Sequence, residues 1–423
     1  MRTLLILIVC IYCFPLANAD TIRMMQYNLM YYTTSAPSGC NADEAYLDLK
    51  DENFKVIMQY AQPDVLCVNE IGSQSVYVDR FLDNVLNVDG VTHYASCPLT
   101  NFSGGSIANM LYYNTEKLQF HSYFYITTAY RDINAYKMYY RSNTLLEGDT
   151  VFITFLIAHL KAGGYDNNAE QRFVQVQRLM QRLEQIGVAD NYVFSGDFNL
   201  TNSNEATYQH LINYPNSLYR FYDPIDEEGN WNNNSQYRYI HTQSTHTYSE
   251  NGCYSTGGMD DRFDFILVSP YIYYGSKKVK SLIETYKALG QDGSFFNGSI
   301  SADNSVVPSE VAVALYNGSD HLPVMLDFEL QAELSIRNSA DFASVNVLNP
   351  IDNQLKINLF LDRELKLNFE LYTIDGRRID SFSKDCGSGE TIIAHPFNYP
   401  SAFYLLKISD SENRVMVRKL IKR

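Results

Sequence analysis

Residues 169–199 read AEQRFVQVQRLMQRLEQIGVADNYVFSGDFN, a helical pattern followed by a strand pattern. Within Ala169–Gln185, apolar residues recur at three- and four-residue steps, as on the buried face of a helix: Phe173, Val176, Leu179, Met180 and Leu183. The apolar run Tyr192–Ser195 that follows is typical of a strand buried inside a sheet. The stretch therefore predicts a helix that packs on a sheet, with polar residues directly after the strand.

The same alternation of strand and helix continues on both sides, from Thr21 to Leu330. The predicted strands are Ile22–Asn28, Val65–Asn69, Asn109–Tyr113, Phe120–Ala129, Thr150–His159, Tyr192–Ser195, Arg262–Val268 and Val324–Phe328. The predicted helices are Asp51–Tyr60, Val76–Val85, Ala169–Gln185 and Asn204–Asn213, and Asp226–Gly258 is predicted to be a long loop. This pattern indicates an α/β fold, a four-layer α/β/β/α sandwich, as one domain over residues 20–332.

The character of the sequence changes after Gln331. From Val345 to Arg423 there are ten acidic and twelve basic residues, whereas the whole chain carries a formal net charge of −15. The predicted strands there are Leu355–Phe360, Leu367–Tyr372, Arg378–Phe382, Phe403–Ile408 and Val415–Ile421, with a hairpin turn at Asp375-Gly376. We therefore expect a small all-β sandwich domain over residues 333–423.

Residues 1–19 have the pattern of a signal peptide: a positive start at Arg2, an apolar run Leu4–Leu16, and the small-x-small sequence Ala17-Asn18-Ala19. The apolar run is too short to span a bilayer. We therefore expect an exported protein that is secreted or attached to the outer cell surface.

Five cysteines remain after the predicted signal peptide: Cys40, Cys67, Cys97, Cys253 and Cys386. Disulfides persist outside the cytoplasm, and Cys40–Cys97 is one conceivable pair. The odd number leaves at least one thiol without an intramolecular partner. Cys67 lies in an apolar run and is predicted to be a small buried residue.

The composition limits the classes of protein. The chain has 423 residues, with 33 Lys and Arg against 48 Asp and Glu, and a pI near 5.0. This acidity excludes a basic protein that coats nucleic acid by charge alone. It does not exclude an enzyme that acts on phosphoesters, because carboxylates are also the ligands of magnesium and calcium.

Polar residues lie at the ends of the predicted strands, where a sheet edge holds them rigidly. They are Asn28, Glu70, His159, Asp197 with Asn199, Asp264, and Asp320 with His321. Any one of them alone is more often a turn, cap or structural residue. Together they supply oxygen ligands for a divalent ion, a general base, and donors for phosphate oxygens, which are the groups that phosphodiester hydrolysis needs.

This ordered series resembles the endonuclease/exonuclease/phosphatase superfamily, which includes pancreatic-type deoxyribonucleases, abasic-site endonucleases, secreted sphingomyelinases and inositol polyphosphate phosphatases. The resemblance spans Thr21–Leu330 and is carried by Tyr27-Asn28, Asn69-Glu70, Ala158-His159-Leu160, Gly196-Asp197-Phe198-Asn199, Asp264 and Ser319-Asp320-His321. It implies a secreted, divalent-metal-dependent phosphodiesterase, most like a deoxyribonuclease-type endonuclease.

The resemblance also implies roles for the residues that bind metal and substrate. Glu70 would bind Mg²⁺, or Ca²⁺ or Mn²⁺, and Asn28 beside it would assist in placing the metal or the phosphate. Asp320 is a further metal-ligand candidate. Asp197 would orient the attacking water, and Asn199 would hold a phosphate oxygen.

For the proton transfers, the resemblance implies that His321 is the general base. Either Asp264 or Asp320 would orient its ring. His159 would donate a hydrogen bond to the phosphate or to the leaving oxygen. Such donors and the metal would offset the charge that develops on phosphorus.

The resemblance implies further phosphate contacts in the stretch after Ala129, where family members often place such side chains; the candidates are Arg131, Lys137, Tyr139, Arg141 and, beyond His159, Lys161. For these residues a phosphate contact and a solvated strand face remain equal alternatives.

Nucleic acid is the first substrate that we expect, and a phospholipid or small phosphoester is the alternative, because a strongly acidic body repels long polyanions. A phospholipid hydrolase needs an exposed apolar loop, for which Tyr271–Tyr274 is the candidate. A non-catalytic surface protein that keeps the fold is a third, weaker alternative.

The C-terminal segment resembles the sorting domain of the type IX secretion system of Bacteroidetes-type bacteria. The residues that carry the resemblance are Asn349-Pro350, Asp375-Gly376-Arg377, Phe403–Ile408 and the basic end Arg418–Arg423. This resemblance implies that the type IX secretion machinery recognises the domain. A substrate-binding β-sandwich is the alternative.

Overall fold

The protein is described from a computed structural model of the chain. The structure describes residues 20–36, 39–142, 145, 150–164, 166–249, 252–330, 344–374, 376–412 and 414–422. The predicted signal peptide, residues 1–19, and the predicted domain boundary at residue 332 lie outside these ranges. Among the described residues, no helix is both long enough and apolar enough to cross a membrane.

The described part of residues 20–330 contains eleven strands and six helices. The strands are β1 Asp20–Tyr32, β2 Val65–Gly72, β3 Tyr94–Ser96, β4 Ile107–Asn114, β5 Leu118–Ile126, β6 Ile133–Tyr140, β7 Phe152–His159, β8 Tyr192–Asp197, β9 Asp264–Val268, β10 Val279–Ala288 and β11 Val324–Leu330. The helices are α1 Glu44–Ala61, α2 Ser75–Phe81, α3 Asp166–Ile186, α4 Ala206–Ile212, α5 Pro270–Tyr274 and α6 Ser309–Gly318. A π-helical turn, Leu82–Leu86, continues α2, and a 3₁₀ turn spans Ser235–Tyr237.

The strands form two mixed sheets, ordered β10-β11-β1-β2-β4-β3 and β5-β6-β7-β8-β9. Each sheet has one parallel pair, β1 with β2 and β7 with β8, and its other pairs are antiparallel. Apolar side chains of both sheets, such as Cys67 and Ile157, share one buried core. The two sheets therefore pack face to face.

Helices cover the two outer faces of this pair of sheets. Helices α1 and α6 pack together beside the first sheet, where Phe54 and Leu315 join its core. Helices α3 and α4 cover the second sheet, and Val176 and Leu179 pack there with Phe194. The predicted four-layer α/β/β/α sandwich is confirmed.

The predicted elements correspond to observed ones, but several boundaries and elements differ. Helix α1 begins at Glu44, earlier than the predicted Asp51, because the Asp43 side chain caps it by accepting a hydrogen bond from the Tyr46 amide. Strands β3, β6 and β10 and helices α5 and α6 were not predicted. Strand β10 is an edge strand with exposed polar positions, so it lacks an apolar run. In its described parts, 226–249 and 252–258, the predicted long loop is confirmed apart from the 3₁₀ turn.

The disulfide expectation was wrong. Cys40 is bonded to Cys253, and Cys97 is a free, buried thiol. Cys97 lies between the sheets, where its Sγ is 3.8 Å from the Met138 sulfur, whereas the loops that carry Cys40 and Cys253 meet at the rim of the fold. As predicted, Cys67 is a small buried residue.

The C-terminal segment forms a second all-β unit with its own buried core. Its strands are β12 Ser344–Val347, β13 Gln354–Leu361, β14 Leu365–Thr373, β15 Arg378–Cys386, β16 Gly389–Pro396, β17 Phe403–Ser409 and β18 Val415–Ile421. They form two sheets, β12-β13-β16 and β15-β14-β17-β18. Strands β12 and β16 complete the sandwich and were not among the predicted ones.

This β-unit contacts the α/β body at helix α5. The carboxylate of Glu390 accepts hydrogen bonds from the hydroxyls of Tyr222 (3.1 Å) and Tyr274 (2.9 Å), and Phe360 stacks on the Tyr274 ring. Tyr271 is also buried there, with an edge-on contact to Phe360. The candidate membrane-contacting loop Tyr271–Tyr274 is therefore a short helix covered by the β-unit, not an exposed apolar loop.

Candidate metal-binding active site

The predicted site residues meet at one edge of the two sheets. Parallel strands end at the same edge, so Asn28 is level with Asn69 across β1 and β2, and His159 is level with Asp197 across β7 and β8. Asp264 begins β9 directly opposite Asp197 in the antiparallel pair. The fold thus brings together residues that are distant in sequence.

A compact group of potential metal ligands lies at this edge. Among the described residues, Glu70, His159 and Asp197 offer ligand atoms that all lie within 4.8 Å of one another. His159 Nδ1 is 3.7 Å from Glu70 Oε1, and His159 Nε2 is 3.5 Å from Asp197 Oδ2. The amide of Asn28 links the two carboxylates, donating to Asp197 Oδ2 at 3.0 Å and to Glu70 Oε1 at 3.2 Å.

The chemistry of this donor set fits a divalent cation. Burial raises the pKa of Glu70, and Asp320 raises it further. Burial raises the pKa of Asp197 to about 7, with Asp264 and Glu70 adding to the shift against the effect of the imidazole nearby. His159 Nδ1 is buried and finds no hydrogen-bond partner among the described residues. Buried carboxylates at these distances repel each other when both are ionised, and a bound metal ion would offset this repulsion.

Asp320 lies near the same ring nitrogen of His321 that Asp197 approaches. Its Oδ2 accepts a hydrogen bond from the Ser255 amide at 2.9 Å, and its Oδ1 is 3.9 Å from His321 Nε2. Asp320 is not a member of the close ligand group found among the described residues, although it acts on Glu70 through its charge. Asp320 as a metal ligand stays a prediction.

His321 is the centre of a second arrangement at the same edge. Its Nδ1 is 2.7 Å from Asp264 Oδ2, and its Nε2 is 3.7 Å from Asp197 Oδ2. Burial lowers the pKa of His321, but Asp264, Asp197 and Asp320 outweigh it and hold this pKa well above the ordinary value. Of the two aspartates that the resemblance offered as the orienting group, Asp264 is the one in hydrogen-bond contact with the ring.

Left-handed backbone conformations occur where the chain turns around the site. Met30, Tyr31 and Glu70 have φ values of 47°, 49° and 60°. The Tyr31 amide donates to Glu70 Oε2 at 3.0 Å, and the buried Lys50 ammonium donates to the carbonyls of Met30 and Gly318, each at 2.8 Å. These bonds hold conformations that non-glycine residues rarely adopt, as is common at functional sites.

A network of buried side-chain amides connects the strands that carry the site residues. No sequence pattern predicted a role for this network. The side-chain oxygen Oδ1 of Asn69 accepts from Gln26 Nε2 (2.7 Å) and from the Asp197 backbone amide (2.9 Å). Its amide nitrogen donates to Asn109 Oδ1 (2.7 Å) and to the Ala158 carbonyl (3.2 Å). Asn69 therefore fixes β8 against β2; its place beside Glu70 was the only sequence signal.

Two residues of the long irregular loop were also missed. The Gln243 side-chain amide lies 2.6 Å from His321 Nε2, and the Thr242 hydroxyl accepts from the Asp264 backbone amide at 3.1 Å. They contact the histidine and the aspartate that pairs with it. No periodic pattern marks a loop residue, so these contacts could only come from the structure.

Asn199 and Arg131 lie at the mouth of the site. The backbone amide of Asn199 donates to Asp197 Oδ1 at 3.0 Å, and its side-chain amide donates to the Leu160 carbonyl at 3.4 Å. The Arg131 guanidinium donates to the carbonyls of His159 (3.3 Å) and Leu160 (3.5 Å). Burial lowers the pKa of Arg131, and the charges of Glu70 and Asp197 offset part of this lowering.

Of the other basic candidates, Lys137 and Arg141 have partners away from the site. Lys137 stacks over the Phe152 ring at 4.3 Å, and Arg141 donates to the Thr115 carbonyl. Lys161 lies 5.5 Å from the centre of the Tyr130 ring, near the mouth. Lys137 and Arg141 therefore match the solvated-strand alternative.

No protein-family model matches this chain, and no curated protein matches it. Solved structures with a similar fold do exist. The human Nocturnin catalytic domain with bound sulfate shares 15% identity, with 74% of this chain and 98% of that chain covered and a TM-score of 0.45. TDP2 of D. rerio in complex with a single-strand DNA product shares 14% identity, covering 73% and 99%, with a TM-score of 0.44.

An endonuclease/exonuclease/phosphatase from Beutenbergia cavernae shares 12% identity, with 94% of this chain and 99% of that chain covered and a TM-score of 0.42. Similarity at this level carries neither a residue's role nor a substrate from those proteins to this chain. The chemistry of the site therefore has to be argued from its own residues.

Proposed function

We propose that this protein is a divalent-metal-dependent phosphodiesterase, most like a deoxyribonuclease-type endonuclease, with His321 as the general base. One observation carries the proposal: a buried Asp264–His321 pair lies beside the Glu70–His159–Asp197 ligand group. A base and a cation site at one sheet edge are the two elements that metal-assisted hydrolysis of a phosphodiester requires.

His321 would take the proton from the attacking water at Nε2. Asp264 accepts the Nδ1 hydrogen, which fixes the tautomer with Nε2 free to act as the base and stabilises the imidazolium that forms. Gln243 and Asp197 flank Nε2, so the ring is held on both sides. The raised pKa of His321 makes its neutral form a stronger base.

Glu70 and Asp197 would hold the metal ion, with His159 as a third candidate ligand. When bound, a divalent ion supplies positive charge to the phosphate oxygens. Asn28 keeps the two carboxylates in place through its amide hydrogens. Burial holds the pKa of His159 well below its ordinary value, so the ring is neutral and can either ligate the metal or donate to the substrate.

Nucleic acid is the substrate class that we propose first. Arg131 and Lys161 place positive charge at the mouth of the site, although the chain as a whole is acidic. The phospholipid alternative depended on an exposed apolar loop at Tyr271–Tyr274, and this segment is covered by the β-unit. Phospholipids and small phosphoesters are therefore comparison substrates in the test.

Export is the second part of the proposal. The signal-peptide pattern of residues 1–19 and the sorting-domain motifs near the C-terminus support a protein that is secreted, or attached to the outer cell surface, through type IX secretion. In a type IX-competent host, deletion of residues 333–423 should trap the chain inside the cell, as measured by immunoblots of the medium, the outer surface and the cell interior. Unchanged export of the deletion variant would contradict this.

The activity test is a substrate screen with the chain that starts at Asp20. Plasmid DNA, RNA, sphingomyelin vesicles and inositol phosphates are each incubated with Mg²⁺, Mn²⁺ or Ca²⁺, and again with a chelator. We expect metal-dependent nicking of plasmid DNA, and His321→Ala should lower its rate by about 10²–10⁴-fold because the general base is lost.

The matched control for His321→Ala is His395→Ala. His395 is a histidine of the β-unit that also pairs with an aspartate, Asp380, at 2.9 Å. Its replacement should leave the rate of nicking unchanged. Equal rates for His321→Ala and the unmodified protein, or no cleavage of any phosphoester with any metal, would contradict the proposed function.

A further inference from the structure

An exposed aromatic surface lies beside the candidate active site. It consists of Phe102, Tyr123, Tyr125 and Tyr130, whose exposed fractions are 58%, 44%, 37% and 38%. Phe102 and Tyr125 stack face to face, with ring centres 3.9 Å apart and ring planes within 13°. Tyr123 and Tyr125 are two residues apart on edge strand β5, so they lie on the same face of that strand. Exposed aromatic rings gathered in this way mark a binding surface more often than isolated exposed rings do.

The surface is held rigidly. The backbone amides of Phe102 and Ser103 donate to the carboxylate of Asp132, which is only 3% exposed. The Ser103 hydroxyl also lies close to that carboxylate, and Asn101 closes the loop by donating to the Gly105 carbonyl. A ring fixed in this way loses little conformational freedom when it binds a ligand.

The aromatic surface is continuous with the active site through one residue. Arg131 directly precedes the anchoring Asp132, and its guanidinium contacts the carbonyl of His159. The Arg131 side chain also approaches the loop at Gly105, where an added Cβ would lie about 4.0 Å from its Cγ. Arg131 therefore lies between the loop that carries Phe102 and the strand end that carries His159.

The local charge fits a polyanion. Two cations, Arg131 and Lys161, lie beside this surface, in a chain of formal net charge −15. The nearby acidic residue Asp132 is engaged inside the loop through its carboxylate. Lys161 lies over the Tyr130 ring, so a cation accompanies the exposed aromatic face there. Aromatic faces next to cations are the features by which proteins bind single-stranded nucleic acids.

We propose that the aromatic surface binds unpaired bases of a single-stranded nucleic acid, with Phe102 as the outermost stacking ring, while Arg131 directs the adjoining phosphate to the ligand group. This inference rests on the proposed function and adds to it a preference for nucleic acid that has an unpaired segment. A paired base keeps its faces inside the duplex, so an intact duplex cannot use this surface.

The first test compares kinetics of the unmodified protein with Phe102→Ala. We expect the variant to raise KM for a single-stranded oligothymidylate about tenfold with kcat unchanged, because a stacking contact is lost equally in the bound and transition states. Its rate on bis(4-nitrophenyl) phosphate, which is too small to reach Phe102, should not change. The KM of Phe102→Trp should be close to that of the unmodified protein, because the indole ring can still stack on a base.

The control variant is Tyr60→Ala, which removes a similarly exposed ring on α1, 42% exposed and outside the aromatic surface. It should leave KM for the oligonucleotide unchanged. An unchanged KM for Phe102→Ala would overturn the proposal, and so would an equal loss of activity on both substrates.

A second test does not need turnover, so it separates this inference from the proposed function. An oligonucleotide that carries 4-thiothymidine is crosslinked to the intact protein by light, and the modified residues are located by mass spectrometry. We expect crosslinks at Phe102 or Tyr125 even if no cleavage is found. Crosslinks confined to other surfaces would overturn the proposal, and so would binding to phosphatidylcholine vesicles that Phe102→Ala abolishes while the oligonucleotide does not bind.

Discussion

At the scale of single residues, the chemistry of the site depends on carboxylates that are buried next to one another. Glu70, Asp197 and Asp264 lie around His159 and His321, and all of these side chains are largely excluded from solvent. Without a cation, ionised carboxylates repel each other at these distances. When no metal is bound, the site therefore destabilises the folded protein more at higher pH than at lower pH.

Asp197 gives this effect a testable sign. Its pKa is raised from 3.8 to about 7, so between these values the folded chain binds a proton that the unfolded chain has lost. Its contribution to stability is present at low pH and is lost as pH rises through the folded pKa. Asp197→Asn imitates the protonated form, so in a chelator its melting temperature should rise relative to that of the unmodified protein from about pH 5 to about pH 8.

Comparing the two proteins at each pH removes the effect of other groups, including Lys50, whose pKa burial lowers to about 7 and which acts in the opposite direction. Excess Mg²⁺ or Mn²⁺ should invert the difference, because the metal stabilises only the protein that keeps the carboxylate. A difference in melting temperature that does not change with pH would show that Asp197 is not repelled by its neighbours.

At the scale of single residues, the sequence predicted the polar residues at strand ends but not the residues that support them. Glu70, His159, Asp197 and Asp264 follow or begin apolar runs, and the structure brings them to one edge. Their supporting contacts come from buried amides such as Asn69, and their sequence surroundings do not differ from those of an ordinary core strand. Contacts of this kind depend on the packing of two sheets, which no local pattern contains.

At the scale of elements, the close approach of β7 and β8 builds half of the site. Gly196 allows it: its φ is +149°, and a Cβ added there would lie 1.7 Å from the Ala158 carbonyl oxygen. That oxygen belongs to the neighbouring parallel strand, one residue before His159. The glycine before Asp197 is therefore needed for the spacing of the strands, independently of any contact with substrate.

Gly196→Ala should destabilise the protein by about 3 kcal/mol or more, because the strands must separate or the backbone must leave its conformation. Urea unfolding followed by circular dichroism measures this change. Gly164→Ala is the matched control, since nothing lies within 4 Å of its added Cβ, and its effect should stay below about 0.5 kcal/mol. Similar unfolding midpoints for the two variants would show that β7 and β8 are not packed this closely.

Element-scale prediction succeeded where periodicity was strong, as in α3, and failed where tertiary contacts decide. Helix α6 and strand β10 are stabilised by packing on their neighbours, and the disulfide joins Cys40 to Cys253 across 213 residues. A pairing over such a distance follows from the order of strands in the sheets. The sequence contains that order only implicitly.

At the scale of the whole molecule, the β-unit covers part of the α/β body. The Tyr274 hydroxyl donates to Glu390, and its ring stacks on Phe360 with ring centres 5.6 Å apart. If a protease site is introduced between β11 and β12 and the two parts are separated after cleavage, Tyr274 should become accessible. Its nitration by tetranitromethane, measured by mass spectrometry, should increase severalfold relative to the uncut chain.

Tyr60, which is 42% exposed on α1, is the internal control and should be nitrated equally before and after cleavage. Equal nitration of Tyr274 in the cut and uncut proteins would contradict the contact between the β-unit and α5.

Because the β-unit covers helix α5, removal of the β-unit would change the exposed surface of the α/β body. If the β-unit is a sorting domain that is cut off after export, its departure uncovers the aromatic rings of Tyr271 and Tyr274 for the first time. The chain with the β-unit and the chain without it would then differ in exposed apolar surface as well as in length. The β-unit would then shield an aromatic surface from non-specific contacts until export is complete.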